Sequence, residues 1–182
     1  MNRDESLALL HEYTKTDSLR KHALAVEAAM RAYARKLGGD EETWGIAGLL
    51  HDFDYEQNQT VPDHPTKGSE ILASRGYPED FRRAIMSHVP QMNVPRDTPM
   101  AKALFACDEL SGFIVACALV RPGRLTDLTA SSVKKKLKDK AFARTVSRED
   151  IQSGIDELQV NPDEHIQFII DALEPISAEL GF

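Results

Sequence analysis

The segment Gly48-Leu49-Leu50-His51-Asp52-Phe53-Asp54 carries an apolar run directly into an adjacent histidine and aspartate. Asp40 is placed to cap a helix through Trp44, Ile46, Ala47, Leu49 and Leu50, so the run should be buried and its far end should deliver His51 and Asp52 into the interior. An ionised carboxylate in such a place is costly unless it is paired or bound to a metal. The competing interpretation is a helix that has simply ended in water. The positions of the other histidines separate the two.

On the amino-terminal side, Leu19, Ala23, Val26, Met30, Tyr33 and Leu37 recur at helical spacing, with Thr16 or Asp17 as cap and Gly38-Gly39 as stop. His22, three after Leu19 and four before Val26, shares their core-facing side. A short opening helix through Leu7, Leu9 and Leu10 precedes it, with His11 facing solvent. On the carboxy-terminal side, residues 53–63 lack helical period and predict a loop over the mouth of a site. His64 then stands in a cap region with Pro65 in the first turn, and Ile71, Leu72 and Ala73 lead to Gly76. Pro78 opens a helix through Phe81, Ala84, Ile85 and Met86 to His88, which Pro90 closes. Thr98-Pro99 starts a long helix to about Val120, with Asp108 on the same face as Leu104, Phe105, Gly112 and Val115.

Past the break at Arg121-Pro122-Gly123-Arg124, a basic amphipathic segment at 131–140 turns Val133 and Leu137 inward. Ser147 with Asp150 has the spacing of a capping box before Ile151, Ile155 and Leu158. Asn161-Pro162 then opens a helix packing through Ile166, Ile169, Ile170 and Leu173, on which His165 is structural. No segment alternates like a strand. The fold predicted is all-α, a single globular helical bundle over residues 1–182.

Composition narrows the function. A net charge of -7 disfavours a nucleic-acid binder, which needs clustered Lys and Arg to meet phosphates. Cys107 and Cys117 lie ten apart in one apolar helix and read as small core side chains, not as a disulfide, which points to a reducing compartment. With a start that is neither basic nor apolar and no long uncharged span, a cytoplasmic protein that makes no membrane contact is expected.

His22, His51, Asp52, His64, His88 and Asp108 are thus inward-facing or at helix ends, spread over five helical segments that can enclose a cavity. Imidazole and carboxylate suit Fe, Mn, Co, Ni and Zn, and Mg to a lesser degree. One ion with a position kept for water takes about four protein ligands, so six predict two divalent ions, with Asp52 best placed to bridge them.

This ordered set, a His, then His-Asp, then a distant Asp, resembles the HD superfamily of metal-dependent phosphohydrolases over roughly residues 18–120, with residues 121–182 packing on that core. The resemblance implies His22, His51, Asp52 and Asp108 as ligands of a first ion. It extends to the subset with two additional histidines, which implies that His64 and His88 hold a second ion with the bridging Asp52. Hydrolysis of a phosphomonoester or nucleotide by metal-activated water, with Asp52 indispensable, is the activity implied. The same six ligands also occur in a di-iron oxygenase of the inositol-oxygenase-like branch of this superfamily, and a third reading, a metal- or nucleotide-binding module without turnover, is supported only by the missing Glu near His51-Asp52.

The chain departs from the pattern three residues after His51-Asp52. Some HD nucleotidases have Glu there and the oxygenases and some two-metal hydrolases have Lys, whereas this chain has Tyr55, flanked by Asp54 and Glu56. Among cations near the ligands, Lys67, one turn past His64, and Arg121, after the long helix, are the expected contacts to a small phosphorylated substrate. Arg82, Arg83 and Lys134-Lys135-Lys136 read as solvated charge.

Overall fold

In the computed structural model, which describes residues 1–182, the chain forms ten α-helices and no β-strand. In chain order they are α1 (Arg3–Tyr13), α2 (Asp17–Leu37), α3 (Glu41–Leu50), α4 (Asp63–Ser74), α5 (Glu79–Met86), α6 (Pro99–Leu119), α7 (Ala130–Leu137), α8 (Arg148–Leu158), α9 (Pro162–Leu173) and α10 (Ser177–Leu180). Single 3-10 turns follow α5 at Pro90–Met92 and α9 at Glu174–Ile176.

The two 21-residue helices, α2 and α6, form the frame. α2 packs against α3, α6 and α9, while α8 lies along α6 and α7 against α9. Val26, Met30 and Tyr33 of α2, Leu49 and Leu50 of α3, and Leu104, Phe113 and Ile114 of α6 are fully buried in one apolar cluster. Ile151 and Ile155 of α8 and Ile166, Ile169 and Ile170 of α9 belong to that same cluster. Burying each such side chain stabilises the fold by about 1.5–3 kcal/mol, so the carboxy-terminal helices share the core of the first 120 residues. Cys107 and Cys117 are free and buried. No helix is long and apolar enough to cross a membrane.

One glycine sets how closely α3 approaches α2. A Cβ at Gly48 would stand 2.7 Å from the carbonyl oxygen of Val26 and 2.9 Å from the amide nitrogen of Glu27. The backbones therefore touch here, which brings His22 of α2 alongside His51 at the end of α3.

The structure corrects two local expectations. Thr16 occupies the N-cap position of α2, but its side chain makes no capping bond. Glu56 does that work from 40 residues away, accepting from the backbone N–H of Lys15 and Thr16 and from the Thr16 hydroxyl. Residues 53–63 are also not a free loop. Turns continue directly from α3 through Gln57; Phe53 and Asp54 are buried, the Phe53 ring meets Tyr13 edge-on, and its carbonyl accepts from the Thr14 hydroxyl. Only Tyr55 and Val61 of this stretch line the central cavity.

Candidate metal centre

Five local structures deliver six side chains to one place. His22 comes from the first third of α2; His51 caps α3 and Asp52 follows it; His64 heads α4; His88 stands just past α5; Asp108 lies midway along α6. His64 keeps an extended backbone (φ -84, ψ 129) so that the regular helix starts at Pro65 and the imidazole turns away from the helix axis. All but Asp52, Asp108 and His22 are buried, and those three are half-buried because they face a cavity of about 550 Å³.

The donor atoms cluster as His22, His51 and Asp108 and as His51, Asp52 and His88, with His64 joined to the second cluster through Asp52. His22 Nε2 lies 3.2 Å from His51 Nε2 and 3.0 Å from Asp108 Oδ1, and His51 Nε2 lies 3.2 Å from that same oxygen. Asp52 turns Oδ2 toward the first cluster, 3.5 Å from His51 Nε2. Its other oxygen, Oδ1, is 3.1 Å from both His64 Nε2 and His88 Nε2. Asp52 thus stands between His51 on one side and His64 and His88 on the other, with one oxygen toward each.

The far nitrogen of three of these rings is already committed. His51 Nδ1 donates to the Gly48 carbonyl at 2.7 Å, His88 Nδ1 to the Ile85 carbonyl at 2.6 Å, and His64 Nδ1 to Asp54 Oδ1 at 2.9 Å. Each neutral ring then carries its proton outward and directs the Nε2 lone pair inward, the arrangement by which proteins orient histidine ligands. Inward, however, those lone pairs meet carboxylate oxygens, acceptor against acceptor. Such a set is stable only with positive charge between the atoms, supplied by protons or by metal ions. Burial opposes a charge on His51, yet Asp52 and Asp108 outweigh it and push its pKa up to about 10. At His64, burial is likewise overcome by Asp52 and Asp54, giving about 9. Burial would raise Asp52 and Asp108, but His51 and the neighbouring rings hold both below the carboxylate range. The spacings among His22, His51 and Asp108 fit a divalent ion: ligands about 2.1 Å from one ion are separated by about 3.0–3.4 Å in octahedral or tetrahedral geometry.

Asp54, which sequence spacing did not single out, supports the second group. It is buried and accepts both from His64 Nδ1 and from the Gly68 backbone N–H at 3.1 Å. A Cβ at Gly68 would stand 2.6 Å from Asp54 Oδ1, so α4 admits this contact only through glycine. Its signal in the chain is an aspartate two places after Asp52. Tyr55, at the position of the departure, packs edge-on against His64 and lines the cavity.

Beyond the ligands, the cavity is walled by Phe105, Gly112, Ala116, Ala143 and Val146, with the carboxylates Glu109 and Asp150. Burial, and then Asp108, push the Glu109 pKa up to about 7. Lys67 and Arg121, expected to meet a phosphate, do not line it. Lys67 is half-exposed and paired with Asp63, one turn back, and Arg121 is paired with Asp127. No lysine or arginine lines the cavity at all. Arg83 pairs with Asp97 on the surface. His165 is buried away from the site, between the Tyr33 hydroxyl and the Ala106 carbonyl.

Comparison with known proteins gives the same region. Residues 19–112 match the family model of the HD domain, just over half of the chain. Ribonuclease Y of Oleidesulfovibrio alaskensis is 30% identical over 116 residues, 63% of this chain and 21% of that protein. The chain therefore spans about a fifth of that relative's length. No solved structure matches it.

Proposed function

The chain belongs to the HD domain family, and from that premise we propose that it is a metal-dependent phosphohydrolase of small phosphomonoesters or nucleotides, holding two divalent ions. The observation that carries the proposal is the pair of donor groups joined by Asp52, three of whose imidazoles are fixed with their lone pairs inward. His22, His51, Asp108 and Asp52 would hold one ion, and His64, His88 and Asp52 the other. Divalent ions there supply positive charge to the phosphoryl oxygens and lower the pKa of water towards neutrality.

The chain's own part is to hold and orient. Asp52 fixes the separation of the two donor groups, Asp54 keeps the His64 ring aimed, and the Phe105 and Val146 walls exclude water from the organic part of the substrate. Glu56 takes no part, because its carboxylate is spent on the start of α2. The relative's name assigns it to RNA. A cavity without lysine or arginine, in a chain of net charge -7, favours a small monoester over a polyanion here.

The test is phosphate release from a panel of monoesters, nucleotides and a short RNA, with the protein loaded in turn with Mn, Co, Ni, Fe, Mg and Zn. Release from a small ester, reduced to background in Asp52→Ala, is expected. Oxygen uptake without phosphate release would move the chain to the oxygenase branch, and tight metal binding with no turnover of any substrate would make it a binding module.

A further inference from the structure

The capping box anticipated at the start of α8 is only half made. Ser147 Oγ accepts from the Asp150 backbone N–H at 3.1 Å, but the return bond, from the Ser147 N–H to the Asp150 carboxylate, is absent. Glu109 Oε2, reaching over from α6, takes that N–H at 3.2 Å instead. The Asp150 carboxylate is left with no hydrogen bond and no ion pair in the chain, half-buried, in the wall of the cavity that holds the metal ligands. The nearest cation in sequence, whose Nε is itself buried without a partner, does not pair with it. Arg148 gives its guanidinium to the carbonyls of Phe142, Ala143 and Val146 and stacks on Phe113. The amino-terminal end of α8 offers the Asp150 carboxylate a favourable field but no bond.

We propose that Asp150 is the specificity-determining residue of this cavity and selects phosphomonoesters whose organic part carries an ammonium group. The proposal rests on the two-ion phosphohydrolase function above. With two divalent ions set against Asp52 and Asp108, a phosphoryl dianion completes the charge balance at that end. Asp150 then faces the rest of the substrate from a wall without a single lysine or arginine. A substrate carboxylate or second phosphate there meets like charge, whereas an ammonium gains a charge-assisted bond. Phe105, Ala116, Ala143 and Val146 leave room for a short alkyl spacer between the two groups.

The experiment compares aminopropyl, propyl and carboxypropyl phosphonates, which do not turn over, by calorimetric binding to the Mn-loaded protein. The aminopropyl compound is expected to bind about tenfold tighter than the propyl compound, and the carboxypropyl compound weaker than either. In Asp150→Asn, which preserves the Ser147 bond to the backbone, the amino preference should fall to near one, and Asp150→Lys should reverse the order. Melting temperatures check that both variants fold; if Asp150→Lys does not, the neutral variant alone decides. Equal binding of amino and propyl compounds by the wild-type protein, or a preference that survives Asp150→Asn, overturns the proposal. Phosphate release from aminopropyl and propyl phosphates keeps the two claims apart. Release from both at equal kcat/KM sinks the ammonium preference and leaves the hydrolase standing, while selective binding without release from either sinks the hydrolase and leaves the preference standing.

Discussion

Asp54 and His165 are single buried polar groups with opposite duties, one aiming a candidate metal ligand and the other serving the core. Asp54 accepts two hydrogen bonds, one from His64 and one from Gly68, and an asparagine could accept both only through its one oxygen. Asp54→Asn should therefore free the His64 ring and weaken the ion held there by about 10–100-fold, while the ion at His22, His51 and Asp108 stays bound. Competitive titration with a chelating dye measures both; equal weakening of the two would show that Asp54 supports the fold and not the ligand. In the sequence Asp54 and Glu56 are alike, both flanking Tyr55. Only the fold shows that one carboxylate turns inward to His64 and the other outward to α2. His165 is buried as the neutral ring, which lowers its pKa from 6.5 to about 4. Between those values the unfolded chain binds the proton that the folded chain refuses, so stability is complete above about pH 6.5 and falls as the pH drops towards 4, by about 3 kcal/mol. His165→Gln, which can keep both hydrogen bonds, should flatten that part of the stability curve. An unchanged slope in chemical denaturation would remove His165 as its source.

At the scale of elements, periodicity was enough for α2, α3 and α6, because each packs a continuous apolar face and the spacing that buries Val26 or Leu104 also turns His22 and Asp108 inward. What depends on contacts between elements was not legible. Glu56 caps a helix that begins 39 residues before it, and Glu109 displaces Asp150 from a cap whose local spacing is complete. Lys67 and Arg121 stood at promising positions, yet each has an acid one or two turns away that takes it. The contact between α2 and α3 is the one on which the ligand set depends most. Gly48→Ala would press a methyl group onto the Val26 carbonyl and should cost about 1–3 kcal/mol. Because the strain is relieved by moving α3 away from α2, it should also loosen the ion shared by His22 and His51. A variant with lowered melting temperature but unaltered metal affinity would show that the two helices position these rings independently.

Across the whole molecule, the ligands are gathered from segments 86 residues apart, from His22 to Asp108, so metal binding and folding must be linked. Bare of ions, the set has to hold protons on buried imidazoles to balance Asp52 and Asp108. Loading with metal should therefore release protons and raise the melting temperature, and a chelator should reverse both. On the proposed function two ions, and not one, share Asp52. Metal content per chain, by elemental analysis of folded protein after loading and gel filtration, tests it most directly. The wild-type protein should carry about two ions per chain, and His64→Ala with His88→Ala about one, with the helical content of both unchanged. A wild-type protein holding a single ion, retained in full by the double variant, would contradict it.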